Sequence, residues 1–166
     1  IGFLQCVGVP SSQKDPTCAP TLSADVFRFC LALSQQLGWP QPHGGDVSTA
    51  FLLADLPEGA EILVAPPKGW VPSNSEDREK LASGKVWRLV KALCGLRCSP
   101  RAWGDHFAGR VVSKFEFKRC PTELPLFPVV VDDALNLVVV FVGDLIFFGL
   151  MLLRVKAMIL AEFPCR

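Results

Sequence analysis

Between Leu126 and Phe148 three apolar runs, Leu126 to Val131, Leu135 to Val142 and Leu145 to Phe148, are divided only by Asp132-Asp133-Ala134 and Gly143-Asp144. Such short breaks suit tight turns, and Val138, Val139, Val140, Phe141 and Val142 favour extended backbone, so the spacing predicts an antiparallel meander. A competing reading takes Leu135 to Leu153 as one membrane-spanning helix, because its only polar residues are Asn136 and Asp144. A spanning helix needs about 20 continuous apolar residues and tolerates a central carboxylate poorly. The break at Gly143-Asp144 therefore favours strands.

Upstream, Leu22, Val26, Phe29, Cys30, Leu33 and Leu37 recur at helical spacing, which predicts a helix from Thr21 to Leu37 stopped by Gly38 and Pro40. Asp46 stands at the front of a short apolar segment, Asp46 to Leu53, after the breaker Gly44-Gly45. Glu61 to Ala65 reads as a second extended segment ending at Pro66-Pro67. The polar stretch Pro72 to Gly84 reads as a surface loop and Val86 to Leu93 as a strand. Ser99-Pro100 has the form of an N-cap followed by proline at the first helical position. Trp103, Phe107, Val111 and Phe115 then repeat every four residues, predicting a helix from Pro100 to about Phe115. Leu150 to Phe163 reads as a last helix, ended by Pro164. The order helix, strands, helix, hairpin, helix predicts the α+β class, with helices packed on one face of an antiparallel sheet.

The chain has 166 residues, half of them hydrophobic and 20% charged, which fits one globular domain over 1–166 and argues against disorder. No initiator Met and no signal peptide stand at Ile1-Gly2-Phe3-Leu4-Gln5, so the chain is expected to begin inside a longer protein. The 7 cysteines are scattered without a C-x-x-C pair. Cys94, Cys98, His106 and Cys120 match no usual zinc spacing, and buried free thiols are expected instead. Net charge is only +1, but its distribution is uneven. From Phe29 to Pro67 there is no Lys or Arg, while Asp46, Asp55, Glu58 and Glu61 fall there. Lys80, Lys85, Arg88, Lys91, Arg97 and Arg101 then follow without one acid up to Gly104. The first segment could hold cations and the second phosphates.

Several short words stand in a fixed order. Asp46-Val47-Ser48-Thr49-Ala50-Phe51 resembles D-V-x-x-A-F, the first catalytic motif of reverse transcriptases of copia-type retrotransposons. Phe141-Val142-Gly143-Asp144-Leu145-Ile146-Phe147-Phe148-Gly149 resembles that family's Y-V-D-D-L-L-L-x-G hairpin. Between them, Ala92-Leu93-Cys94-Gly95-Leu96-Arg97-Cys98-Ser99-Pro100-Arg101-Ala102-Trp103 resembles A-L-Y-G-L-K-Q-S-P-R-A-W. Gly2-Phe3-Leu4-Gln5 resembles G-F-S-Q, Cys18-Ala19-Pro20 resembles F-A-P, and Pro66-Pro67-Lys68-Gly69-Trp70 resembles P-P-G-F with one insertion. Phe117-Lys118-Arg119 resembles G-F-K-R, and Glu123 to Phe127 resembles D-x-x-L-F. The matches cover Gly2 to Gly149. Asp132-Asp133 offers paired carboxylates too, but it lies only five residues beyond Phe127, where the family has a polar turn, so a solvated turn is expected.

The resemblance implies a fragment of a retrotransposon polyprotein derived from an RNA-directed DNA polymerase. It implies a palm-like antiparallel sheet with part of the fingers, the first fingers strands, the thumb and the ribonuclease H part lying outside the chain. The family transfers a nucleotide from a dNTP to a primer 3′-hydroxyl with two Mg2+ (or Mn2+) ions about 4 Å apart. Carried over residue by residue, Asp46 and Asp144 are catalytic carboxylates and metal ligands, joined by the backbone of Val47, and Gly143 occupies the position of a third carboxylate. Ala50, Phe51 and Gly95 fall at nucleotide-binding positions, Phe51 at the gate that excludes a ribose 2′-hydroxyl. Lys91, Arg97, Ser99 and Arg101 fall at template and primer positions. The implied partners are an RNA or DNA template with primer, a dNTP and the remainder of a Gag-Pol-like polyprotein. The implied setting is intracellular, a cytoplasmic particle or the nucleus, with no membrane and no secretion.

Departures matter. Glycine cannot ligate a metal through a side chain, although Gly143-Asp144 can keep a tight turn. Cys94 and Phe141 stand where the family has Tyr, and the chain has no tyrosine at all. A degenerate or truncated copy with weak or no activity is therefore expected. The second reading is a non-catalytic nucleic-acid-binding remnant that keeps the basic Lys80 to Arg101 surface, and the third is a small membrane protein.

Overall fold

The computed structural model describes residues 6–8, 21–57, 59–67, 69–84 and 86–164. The motif matches at Gly2-Phe3-Leu4-Gln5 and Cys18-Ala19-Pro20 lie outside the described residues, as do Glu58, Lys68, Lys85 and Cys165. In chain order the elements are β1 (Cys6–Gly8), α1 (Ala24–Gln36), β2 (His43–Asp46), α2 (Ala50–Leu53), β3 (Leu63–Val64), α3 (Ser75–Ala82), β4 (Trp87–Arg88), α4 (Ser99–Phe115), β5 (Leu126–Val131), β6 (Ala134–Phe141), β7 (Asp144–Gly149) and α5 (Leu152–Glu162).

The expected meander is β5-β6-β7, and β2 joins it to give a four-stranded sheet in the order β2-β7-β6-β5, antiparallel throughout. Asp132 and Asp133 form the β5–β6 turn, both exposed and both at positive φ (49° and 60°), a conformation that Asp tolerates better than most residues. A smaller sheet, β1-β3-β4, is also antiparallel. Within the run Leu135 to Leu153 the backbone forms two strands and a helix start, and no helix among the described residues is long and apolar enough to cross a membrane.

Helices cover both faces of the four-stranded sheet, which corrects the expectation of a single covered face. Phe127, Val129, Val138, Val140, Leu145 and Phe147 face α4 and α5, packing with Trp103, Phe107, Val111, Val155 and Ile159. Leu137, Val139 and Phe148 alternate to the other side, where Val26, Phe27, Cys30 and Leu33 of α1 cover them. The reason is in β6 itself: Asn136 to Val140 is buried at every position, and a strand without polar alternation must be covered twice. Each large side chain so buried contributes about 1.5–3 kcal/mol.

Other boundaries shift for local reasons. The first helix begins at Ala24 because the Ser23 hydroxyl accepts the Val26 N–H, and it ends where Gly38 turns the chain at φ +62°. Pro72 to Gly84 is not all loop. Asn74 accepts the Asp77 N–H at 2.7 Å, Glu76 pairs with Lys80 one turn on, and these local contacts support α3. The strand expected over Val86 to Leu93 shrinks to Trp87–Arg88, with one further bridge between Asp55 and Lys91. Of the thiols described, Cys30 is buried, and that burial raises its pKa; Cys94 is exposed, and Cys98 and Cys120 are half-buried. Among the described residues no group of three or more His, Cys, Asp or Glu gathers as a metal site.

Candidate active site

Asp46 is the last residue of β2, not the first residue of a strand, and its register partner across the sheet is Asp144, the first residue of β7. Directly opposed residues of an antiparallel pair hold their Cβ atoms about 4.5–5.5 Å apart, so two carboxylates nearly a hundred residues apart in sequence share one sheet end. Gly44-Gly45, expected to break the chain, instead lies within the strand. A Cβ on Gly45 would sit 3.2 Å from the Phe147 ring, so close packing rather than a turn calls for glycine there.

The β6–β7 hairpin turns on Val142 and Gly143. Val142 carries the left-handed conformation, φ +57°, while Gly143 does not, so the backbone does not require glycine at position 143. A β-branched residue at positive φ is strained, and neighbouring bonds hold it there. The Trp103 indole N–H donates to the Val142 carbonyl, and the Val47 N–H donates to the Gly143 carbonyl at 2.8 Å. A Cβ built on Gly143 would point at the Asp46 Oδ1 (3.2 Å), the Val47 carbonyl oxygen (3.4 Å) and the Ala50 Cβ (3.7 Å). A side chain at 143 would thus enter the space between the two oxygen donors.

After Asp46, Thr49 at φ +55° turns the chain into α2. Buried Ala50 and half-buried Phe51 then line an open cleft with Asp46, Val47, Leu93, Cys94, Gly143 and Asp144. Phe51 also packs against the main core, so it serves both settings. Cys94, which departs from the family motif, lines this cleft; its neighbour Gly95 turns the loop at φ +95°.

The cationic candidates divide. Ser99 is buried, and its hydroxyl accepts the Leu93 N–H and donates to the Leu93 carbonyl at 2.6 Å. It closes the 93–99 loop from inside. It is not the N-cap: Cys98 is, and Ser99 opens α4 itself. The Lys91 ammonium pairs with Asp55 at 2.6 Å and donates to the Leu53 carbonyl, holding the Asp55 carboxyl below its ordinary range. Arg101 lies 3.5 Å from Asp105, and Lys80 pairs with Glu76 and Asp77. Arg97 and Arg88 are exposed and have no ion-pair partner among the described residues. Among the described residues of the basic run, Lys80, Lys91 and Arg101 are thus paired with acids, while Arg88 and Arg97 are not.

Asp46, Asp144 and the Val47 carbonyl are hard oxygen donors of the kind that Mg2+ takes. The set fits such an ion in kind. Trp103, known from the sequence as a helix residue, emerges as the clamp on the turn. Its signal was present in the A-W end of its motif, which periodicity alone reads as core.

Residues 1–165 match the family described as reverse transcriptase (RNA-dependent DNA polymerase). The Retrovirus-related Pol polyprotein from transposon RE2 of Arabidopsis thaliana is 31% identical over 94 residues, covering 57% of this chain and 6% of that protein. The corresponding polyprotein from transposon RE1 of the same plant is 25% identical over 140 residues, covering 84% of this chain and 9% of that protein. The matched stretch is thus under a tenth of either relative. No solved structure gives a significant match.

Proposed function

The chain belongs to the reverse transcriptase (RNA-dependent DNA polymerase) family, and from this we propose that it is the palm, with part of the fingers, of a copia-type retrotransposon polymerase impaired at Gly143. One observation carries the reading. Asp46 and Asp144 are register partners, and the side-chain direction of Gly143 runs between Asp46 and the Val47 carbonyl. A third carboxylate on that vector would complete an oxygen cluster at the sheet end.

In this reading Asp46, Asp144 and the Val47 carbonyl hold divalent ions, which supply charge stabilisation at the reacting phosphoryl group. Phe51 lies against the incoming sugar, Ala50 lines the floor, and the backbone at Gly95 approaches the base. Arg97 and Arg101 face the template and primer phosphates; Lys91 instead anchors the loop to Asp55. Template, primer and dNTP are the proposed substrates, and the remainder of a Pol-like polyprotein is the proposed context.

Losing one shared metal ligand costs roughly a hundredfold to ten-thousandfold in rate, since each ~1.4 kcal/mol of barrier is tenfold. The test is a chimera that supplies complete fingers and a thumb. Gly143→Asp in that chimera restores magnesium-dependent primer extension, and adding Asp46→Asn abolishes it again. Equal extension with and without Gly143→Asp would sink the assignment of position 143.

A further inference from the structure

The small sheet carries an aromatic pair that the candidate active site does not use. Trp70 and Trp87 meet edge to face, with ring centroids 5.0 Å apart and planes at 87°. In that geometry one ring keeps both faces out of the contact. Trp87 is 38% exposed although indole is costly to leave in water, and Val71 and Val90, close in sequence to the two tryptophans, are 75% and 72% exposed. Trp87 belongs to β4, which among the described residues has β3 as its single neighbour and so stands at the edge of that sheet. Arg88, the next residue, is one of the two cations of the Lys80 to Arg101 run that have no ion-pair partner among the described residues. In sequence, both tryptophans also follow a lysine by two residues, in Lys68-Gly69-Trp70 and Lys85-Val86-Trp87.

We propose that Trp70 and Trp87, with Arg88, form a stacking platform for an unpaired base of single-stranded nucleic acid. The proposal rests on the nucleic-acid part of the function above and is independent of nucleotidyl transfer. Flat π faces with a cation across the strand edge suit a single strand, because each base offers a face to stack and each phosphate a charge to neutralise, whereas a duplex hides its base faces. The charge at this edge favours nucleic acid over a protein partner: Arg88 is an exposed cation with no ion-pair partner among the described residues. Arg88 and Trp87 point to opposite faces of a strand only two residues long at an edge, so a polynucleotide crossing that edge meets both.

The test uses the whole chain and a labelled oligothymidylate about twelve nucleotides long, within the usual span of such sites, with fluorescence anisotropy as the readout. Trp87→Leu keeps apolar bulk and removes the π face. It weakens binding about 5- to 150-fold, the loss of one stacked base, while Trp87→Phe stays near wild type. Arg88→Gln flattens the salt dependence by about 0.7 in log–log slope, and Trp87→Leu leaves that slope unchanged. Thermal melting of each variant guards against unfolding, and Trp70→Leu repeats the test from the other ring. Wild-type affinity in a folded Trp87→Leu protein overturns the proposal. So does equal weakening toward a duplex of the same length, or a wild-type chain that ignores the oligonucleotide yet self-associates through Trp87. None of these readouts depends on primer extension.

Discussion

The indole of Trp103 donates its N–H to the carbonyl of Val142, so a helix buried behind the sheet fixes the strained residue of the hairpin turn. Trp103 is 1% exposed; it stacks on His106, meets Phe107 at a tilt and Phe163 edge to face. Trp103→Phe keeps most of the apolar contact and leaves the Val142 carbonyl without its donor. Chemical denaturation is expected to show a loss of about 1–3 kcal/mol, the cost of an unsatisfied buried acceptor. An unchanged midpoint would mean that the turn does not need the bond.

Val142 itself offers the complementary experiment. A left-handed conformation costs a non-glycine residue about 1–2 kcal/mol, and glycine costs about 0.5–1 kcal/mol in chain entropy, so Val142→Gly is expected to be neutral to about 1 kcal/mol stabilising. Gly143→Ala, by contrast, meets no left-handed penalty, because Gly143 does not sit at positive φ, and it gains about 0.4–1 kcal/mol from the less flexible unfolded chain, less whatever the contact of its Cβ with the Asp46 Oδ1 at 3.2 Å costs. A clear loss of stability in Val142→Gly, read from urea melts, would show that the valine side chain contributes more than its backbone strain costs.

The meander and its turns were legible because β-branched runs and two-residue polar breaks act locally. What was missed depends on tertiary contact. The second covered face was signalled by the unbroken burial pattern from Asn136 to Val140, but only a rule about both faces of a strand extracts it. The glycines misled in the same way. Gly45 answers to the Phe147 ring, and Gly149, at φ +128°, lies where a Cβ would meet the Asn136 Cγ at 2.7 Å. Asp46 and Asp144 were found through motif order, since spacing cannot say that they are register partners. Ser99 entered as a template position through the resemblance of its segment, and what spacing could not show is that its hydroxyl bonds to Leu93 inside the loop.

Acid should loosen the packing of α4 on α5. Glu162 lies between Lys114 and Arg110, its side chain almost wholly covered, and the Lys114 ammonium first, with Arg110 behind it, lowers its pKa. A carboxyl whose folded pKa is depressed binds its proton more readily when unfolded. Its contribution is therefore complete above the ordinary value of 4.5 and declines as pH falls below it toward the folded value. Melting temperatures of wild type and Glu162→Gln should accordingly differ above that range and converge at lower pH. A constant difference across the acid range would remove Glu162 from the account.

The last expectation separates metal binding from catalysis at position 143. The backbone there accepts a side chain, and the nearest obstacle to a Cβ is the Asp46 carboxylate oxygen at 3.2 Å, the end of a side chain that can move. Gly143→Asp therefore folds. It also places a third negative charge beside Asp46 and Asp144, which disfavours the folded state until a cation screens it. A cation that binds only the folded chain adds stability as RT ln(1 + [L]/Kd), about 2.7 kcal/mol at a hundred times Kd. Gly143→Asp should thus melt lower than wild type in a chelator and show the larger rise in melting temperature as Mg2+ or Mn2+ is added. The rise should vanish in the double variant Gly143→Asp with Asp46→Asn, because the cluster then loses the carboxylate that both neighbours face. Matching cation responses in wild type and Gly143→Asp would show that position 143 does not complete a metal site, whatever the chimera does in primer extension.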